Sequence, residues 1–233
     1  MTAIISTTKT SEGEYTISYS YDNADRVTSI TDEMGHTMMA EYDSLGNLTA
    51  ITDAKGSVVE SNTYNEKGYL TKTKDALSNT TAYSYDTMGN IIAIIECLNT
   101  EAETKTSYGY DADGKLMSVS DAVGTTSLTY DNNGNVTSMT DAMEGTTTYS
   151  YDSMNRVMEI VNAIGAKETY QYNARGLLEE SVDNAGEKTV YTYDAAGRII
   201  KQKDELGTIR YSYDKNGNVL TVSDKNGTII TSR

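Results

Sequence analysis

The chain has 233 residues, 19 Lys and Arg against 34 Asp and Glu for a net charge of −15, and no Pro, Phe or Trp beside 19 Tyr and 18 Gly. An acidic surface of this kind disfavours nucleic acid, whose affinity rests on Lys and Arg neutralising phosphates, and it disfavours anionic membranes equally. The longest aliphatic run, Ile91-Ile92-Ala93-Ile94-Ile95, is far short of the ~20 residues of a membrane helix, and the single cysteine, Cys97, excludes an intrachain disulfide and a cysteine-based zinc or iron–sulfur set.

Residues 1–20 open with Met-Thr-Ala-Ile-Ile-Ser, which shows no basic region and no long apolar core of a signal peptide. They go on through Gly13 and Tyr15-Thr16-Ile17-Ser18-Tyr19, and read as a degenerate partial copy of a repeated unit. From Tyr21 onward that unit recurs. Tyr followed by Asp or Asn stands at Tyr21, Tyr42, Tyr64, Tyr85, Tyr110, Tyr130, Tyr151, Tyr172, Tyr193 and Tyr213, at intervals of 21, 22, 21, 25, 20, 21, 21, 21 and 20 residues. The one long interval contains Leu98–Thr104, read as a lengthened loop. After Gly227 the next tyrosine would fall near residues 233–235, so the sequence reads as cut within a copy. The expectation is a single array over residues 1–233, about ten copies of ~21 residues, because a fixed period of this size marks a repeat architecture.

Aligning on the tyrosine exposes further columns. Four residues later stands Gly46, Gly68, Gly89, Gly114, Gly134, Gly176, Gly197 or Gly217, with Asp25 and Asn155 as the two exceptions. Asp and Asn are among the non-glycine residues that best tolerate positive φ, so this position calls for a left-handed backbone. An aliphatic follows at position six in all ten copies, an Asp at position eleven in eight, and a second Gly often near position fourteen. A further Tyr stands two residues before the anchor in seven copies. Short Thr-, Tyr-, Val- and Ile-rich segments separated by two Asp/Asn/Gly clusters predict one β-hairpin per unit. The i, i+2 tyrosine pair then shares one face of its strand, and neighbouring copies stack into ladders of rings. The aliphatics at positions six and nine, such as Val27 and Ile30, are three apart. A regular strand would send them to opposite faces, so either a bulge intervenes or both faces are partly covered.

The unit Tyr-Asp-x-x-Gly-(Arg/Asn)-Leu-x-x-x-x-Asp-x-x-Gly, with close instances at Tyr193-Asp194-Ala195-Ala196-Gly197-Arg198-Ile199 and Tyr42-Asp43-Ser44-Leu45-Gly46-Asn47-Leu48, resembles the YD repeat of Rhs proteins, wall-associated proteins, toxin C components and teneurins. The resemblance covers essentially the whole chain. It implies an all-β fold in which tandem hairpins form a long, curled antiparallel sheet, a segment of a spiral shell or β-repeat barrel. It implies a non-enzymatic scaffold in a large secreted or cell-surface bacterial protein, whose partners are the remaining domains of its own polypeptide, a toxin cargo among them. The family often carries Pro after the second Asp, where Glu33, Ala54, Ala76, Ala122 and Glu205 stand here.

The remaining constellations are weaker. Asp131-Asn132-Asn133-Gly134-Asn135 is similar to a calcium loop, but an EF-hand needs Gly sixth and Glu twelfth, and here Gly comes fourth. Turn chemistry explains it better, so no metal or other cofactor is expected. His36 and Cys97 stand about three repeats apart, too far for the hydrogen-bonded pair a cysteine nucleophile needs, and no catalytic residue is assigned. The tyrosine rows offer flat apolar faces with polar tips, which leaves open an alternative reading as an adhesin module binding carbohydrate or a cell-surface protein.

Overall fold

The computed structural model describes the backbone of residues 4–10 and 13–231 and the side chains of residues 16–227. Two units divide the chain, residues 1–123 and 124–233. The first holds β1 (Ile4–Thr10), β2 (Gly13–Tyr21), β3 (Val27–Thr31), β4 (Thr37–Tyr42), β5 (Leu48–Thr52), β6 (Val58–Tyr64), β7 (Leu70–Asp75), β8 (Thr80–Tyr85), β9 (Ile91–Glu96), β10 (Thr104–Tyr110) and β11 (Leu116–Ser120). The second holds β12 (Thr125–Tyr130), β13 (Val136–Thr140), β14 (Thr146–Tyr151), β15 (Val157–Val161), β16 (Lys167–Tyr172), β17 (Leu178–Val182), β18 (Lys188–Tyr193), β19 (Ile199–Lys203), β20 (Thr208–Tyr213), β21 (Val219–Asp224) and β22 (Gly227–Thr231). Within each unit every strand pairs antiparallel with its neighbours in the chain. The fold is an all-β series of tandem hairpins.

The turn after each anchor tyrosine shows why the sequence folds this way. The Asp25 N–H donates to the Asp22 carbonyl at 3.2 Å, and the Asp22 N–H donates to the Arg26 carbonyl at 3.0 Å. A three-residue hairpin loop of this form is a type I turn closed by a left-handed residue. That residue is Asp25 at φ 59° and Asn155 at φ 59°, and in the other eight copies a glycine between φ 79° at Gly68 and φ 94° at Gly89. In six copies the second turn repeats the same construction. The Gly35 N–H donates to the Asp32 carbonyl at 3.1 Å and the Asp32 N–H to the His36 carbonyl at 3.0 Å. Here Ser78 at φ 71° and Glu144 at φ 67° take the left-handed place without being glycine.

A bulge settles the spacing of the aliphatics. Tyr21 pairs with Val27 but Ser20 pairs with Ser29, so Thr28 is an extra residue on β3. The same shift follows the anchor tyrosine in all ten hairpins. One inserted residue restores the face of everything beyond it. Val27, opposite Tyr21, and Ile30, opposite Tyr19, therefore share the tyrosine face. The other face carries Ser18, Ser20, Ser29 and Thr31.

No residue whose side chain is described is buried. Each unit is thus one sheet layer with no second layer against it. An isolated hairpin is marginal in water, and without a core its stability comes from the hairpins on either side, as in other repeat proteins.

Candidate functional site

The recurring side-chain constellation lies where one hairpin meets the next. On the inter-repeat side, the backbone pairing of β3 with β4 begins only at Ser29 opposite Met39, so the Val27 carbonyl lies beyond the last pair. The Tyr42 hydroxyl donates to it at 2.9 Å. The same bond links Tyr64 to Leu48 at 2.8 Å, Tyr85 to Leu70 at 2.7 Å and Tyr110 to Ile91 at 2.9 Å in the first unit. In the second it links Tyr151 to Val136, Tyr172 to Val157, Tyr193 to Leu178 and Tyr213 to Ile199 at 2.6–3.0 Å. The anchor tyrosine is therefore a clasp on the preceding repeat, satisfying the carbonyl that the splayed strands leave over. Burial pushes the Tyr64, Tyr85, Tyr151 and Tyr193 phenols above their ordinary value, which keeps them protonated as donors.

The Asp after each anchor organises the loop tip. One carboxylate oxygen of Asp43 accepts from the backbone N–H groups of Leu45 and Asn47, both at 2.9 Å, and the other from the Asn47 side chain at 2.9 Å. The Asn47 side chain, then its backbone, hold the Asp43 carboxyl below the usual carboxylate range. Where Arg takes the place of Asn, the guanidinium binds the carboxylate and also covers the next anchor ring. Arg26 sits 4.6 Å from the Tyr42 centroid, Arg156 4.4 Å from Tyr172 and Arg198 4.6 Å from Tyr213, a favourable cation–π geometry. Tyr69 fills the same slot, its ring 5.1 Å from that of Tyr85 at a 39° tilt. The glycine of the next loop is close enough that a Cβ on Gly89 would lie 2.6 Å from the Tyr69 hydroxyl oxygen, and one on Gly46 would lie 3.1 Å from an Arg26 nitrogen. Arg175 reaches further, donating to the carbonyls of Asp194 and Ala195 at 2.8 and 2.9 Å. These links between adjacent loops carry no periodic sequence signal, because the position holds Arg, Asn, Lys, Tyr or Leu in different copies.

The structure ties eight of the anchor tyrosines to the preceding repeat, sets left-handed glycines such as Gly46, Gly89 and Gly176 against the preceding loop, and keeps the turn aspartates bonded within their own loops. It leaves the off-repeat residues apart. His36 pairs with Asp32 in an exposed turn at 2.9 Å, and Cys97 lies in the loop between β9 and β10. Among the described residues no three His, Cys, Asp or Glu side chains group as metal ligands, and no helix is long and apolar enough to cross a membrane. Open clefts lie on the first unit's sheet. One of about 370 Å³ is bounded by Tyr69, Tyr83 and Tyr85, and an apolar one of about 230 Å³ by Val27, Ile30, Met38 and Ile51. The first is also lined by Glu66, Lys67, Ser84 and Asp86.

Teneurin YD-shell sequences match residues 61–231. The chain belongs to the Teneurin YD-shell family. The RHS Repeat family matches residues 42–79 as well. Among solved structures the YD-shell chain is similar to one from a Tc holotoxin pore of Photorhabdus luminescens, at 14% identity and a TM-score of 0.44 over 93% of this chain. It is also similar to one in the crystal structure of TcdB2-TccC3, at 16% identity and a TM-score of 0.45 over 93% of this chain. It spans 16% of each of those chains. No curated protein is significantly similar to it in sequence. Family and repeat architecture together make this a segment of a structural shell.

Proposed function

We propose that this YD-repeat array is a non-enzymatic length of wall in a large secreted or surface bacterial protein of the Rhs or polymorphic-toxin type, and that the wall encloses or displays another domain of the same polypeptide. The observation that carries this reading is the single layer with unlike faces. Tyrosines and most of the aliphatics line one face, while the other carries Ser and Thr together with Glu and Lys and a few aliphatics such as Ile95 and Val161, and no side chain is buried among the described residues. Ile30 and Met38 on the tyrosine face remain 41% and 46% exposed. A free sheet in water keeps its apolar side against something else, and a wall whose tyrosine face turns toward an enclosed chain supplies that cover. The tyrosine clasps and loop-to-loop contacts suit this role, since they tie each hairpin to the next and leave the faces free.

Limited proteolysis of the full-length gene product tests the proposal. Segments outside the array should resist cleavage in the native protein and become cleavable when Gly89→Val and Gly134→Val, both at left-handed positions, open the wall. Equal cleavage of those segments with and without the two substitutions would overturn it.

A further inference from the structure

The second-turn edge of residues 124–233 has features the fold does not require. The turn, one residue shorter at Leu206 than at Met143 and Ile164, takes Asp or Asn at its first place and a positive-φ residue at its fourth. Its third place is free, and Lys55, Ala185 and Asn226 occupy it in some copies. Yet in this unit Met143 stands there at 89% exposure, Ile164 at 89% and Leu206 at 87%. Exposed apolar side chains aligned in this way mark an interaction surface.

Charge singles out the same edge. The five second-turn loops of this unit carry seven Asp or Glu against Lys225 alone, while its five first-turn loops carry four acids and four bases. Repulsion from Glu205, followed by burial and a shared hydrogen bond with Glu205, raises the Glu187 carboxyl above its ordinary value. A cation brought to this edge would relieve that repulsion.

Spacing selects the shape of the partner. Successive tips lie two strands apart, about 9.6 Å. Seven residues of α-helix rise about 10.5 Å, whereas the matching three residues of an extended strand would face opposite sides. We propose that this edge is a docking ledge for a basic amphipathic helix of a partner polypeptide, its apolar residues seven apart over Met143 and Ile164 and fourteen further on over Leu206, with Ala185 between, and its Lys or Arg side chains facing Glu144, Glu187 and Glu205. The ledge is independent of whether the array encloses a domain.

The probe is a fluorescein-labelled 22-residue peptide with Leu at every seventh position and Lys and Ala elsewhere, titrated by fluorescence anisotropy. Binding should weaken as salt rises. Joint replacement Met143→Ser, Ile164→Ser and Leu206→Ser should lower affinity at least tenfold, and Glu187→Gln with Glu205→Gln at least threefold with a flatter salt dependence. Met154→Ser, at an exposed tip on the opposite edge, should leave affinity unchanged, and circular dichroism should show every variant folded. A peptide with Ser in place of Leu should bind at least tenfold more weakly. Equal affinity for the triple variant or for the Ser peptide would overturn the proposal. So would failure of the peptide to bind while the tips drive self-association in sedimentation or attachment to phosphatidylcholine vesicles.

Discussion

Removing one hydroxyl tests the tyrosine clasp. In Tyr193→Phe the ring stays on its face, but the 2.6 Å bond from the phenol to the Leu178 carbonyl is lost. That carbonyl lies beyond the last β17–β18 pair, Glu180 with Val190, so no backbone donor replaces the hydroxyl. A neutral hydrogen bond of this kind contributes about 1 kcal/mol net, which corresponds to a roughly fivefold rise in local opening. Because repeat arrays open locally, hydrogen exchange resolved by segment reads the effect better than a single melting temperature. The amides of residues 178–193 should exchange about fivefold faster, with little change two hairpins away. Tyr191→Phe is the control: on the same face, its hydroxyl donates to no protein atom among the described residues, and its loss should be near neutral. An effect of Tyr193→Phe below about 0.3 kcal/mol, or one spread evenly over both units, would refute the clasp.

Gly89→Ala should destabilise by about 2–3 kcal/mol, because it adds a left-handed Cβ cost of about 1–2 kcal/mol to displacement of Tyr69 from Tyr85. Gly165→Ala, at φ 79° with open space around it, should carry the backbone cost alone, and equal losses in chemical denaturation would count against the loop contact. Glu144→Gly should stabilise by about 0.5 kcal/mol, since relief at φ 67° outweighs the greater freedom of an unfolded glycine; destabilisation in the same assay would contradict this. The depressed carboxyls of Asp43, Asp86, Asp131 and Asp214, each held down first by the side chain of the Asn four residues on, contribute stability that is present above the ordinary value of 3.8 and lost as pH falls through their lower folded values. Replacing all four with Asn, as at Asn65 and Asn173 in this chain, should keep the fold at neutral pH and move the acid-unfolding midpoint down; an unmoved midpoint would remove the turn carboxyls from the acid response. At the other extreme the Tyr170 phenol, raised to about 12 first by its bond to Glu168, contributes stability present below pH 10 and lost as pH rises toward 12, which Tyr170→Phe should abolish in a base titration.

The repeat, its hairpins and its first turn were legible because Tyr, Gly and Asp recur in fixed columns and each has a local reason to be there. Asp25 and Asn155 marked the left-handed place even where glycine was missing. Val27 and Ile30 gave an ambiguous signal: a three-residue spacing fits a bulge or two half-covered faces, and only the pairing of Ser20 with Ser29 decides between them. The clasp was hidden because its acceptor is a backbone carbonyl, present at every residue and so invisible in the letters. The loop contacts of Arg26, Arg156, Arg198 and Tyr69 were hidden for the opposite reason, since unlike side chains reach the same ring. Ser78 and Glu144 concealed two left-handed turns behind residues that rarely adopt them. The ten hairpins account for twenty strands, β2–β21, and among the described residues β1 and β22 add one more at each end. The absence of a buried core among the described residues follows from single-layer architecture, which no composition reveals.

Electron cryo-microscopy of the full-length gene product tests the shell reading most directly. The account predicts that the YD-repeat sheet forms part of a closed wall, with its tyrosine face toward density from another segment of the same polypeptide. A sheet whose tyrosine face borders only solvent, with every other domain outside it, would contradict the account.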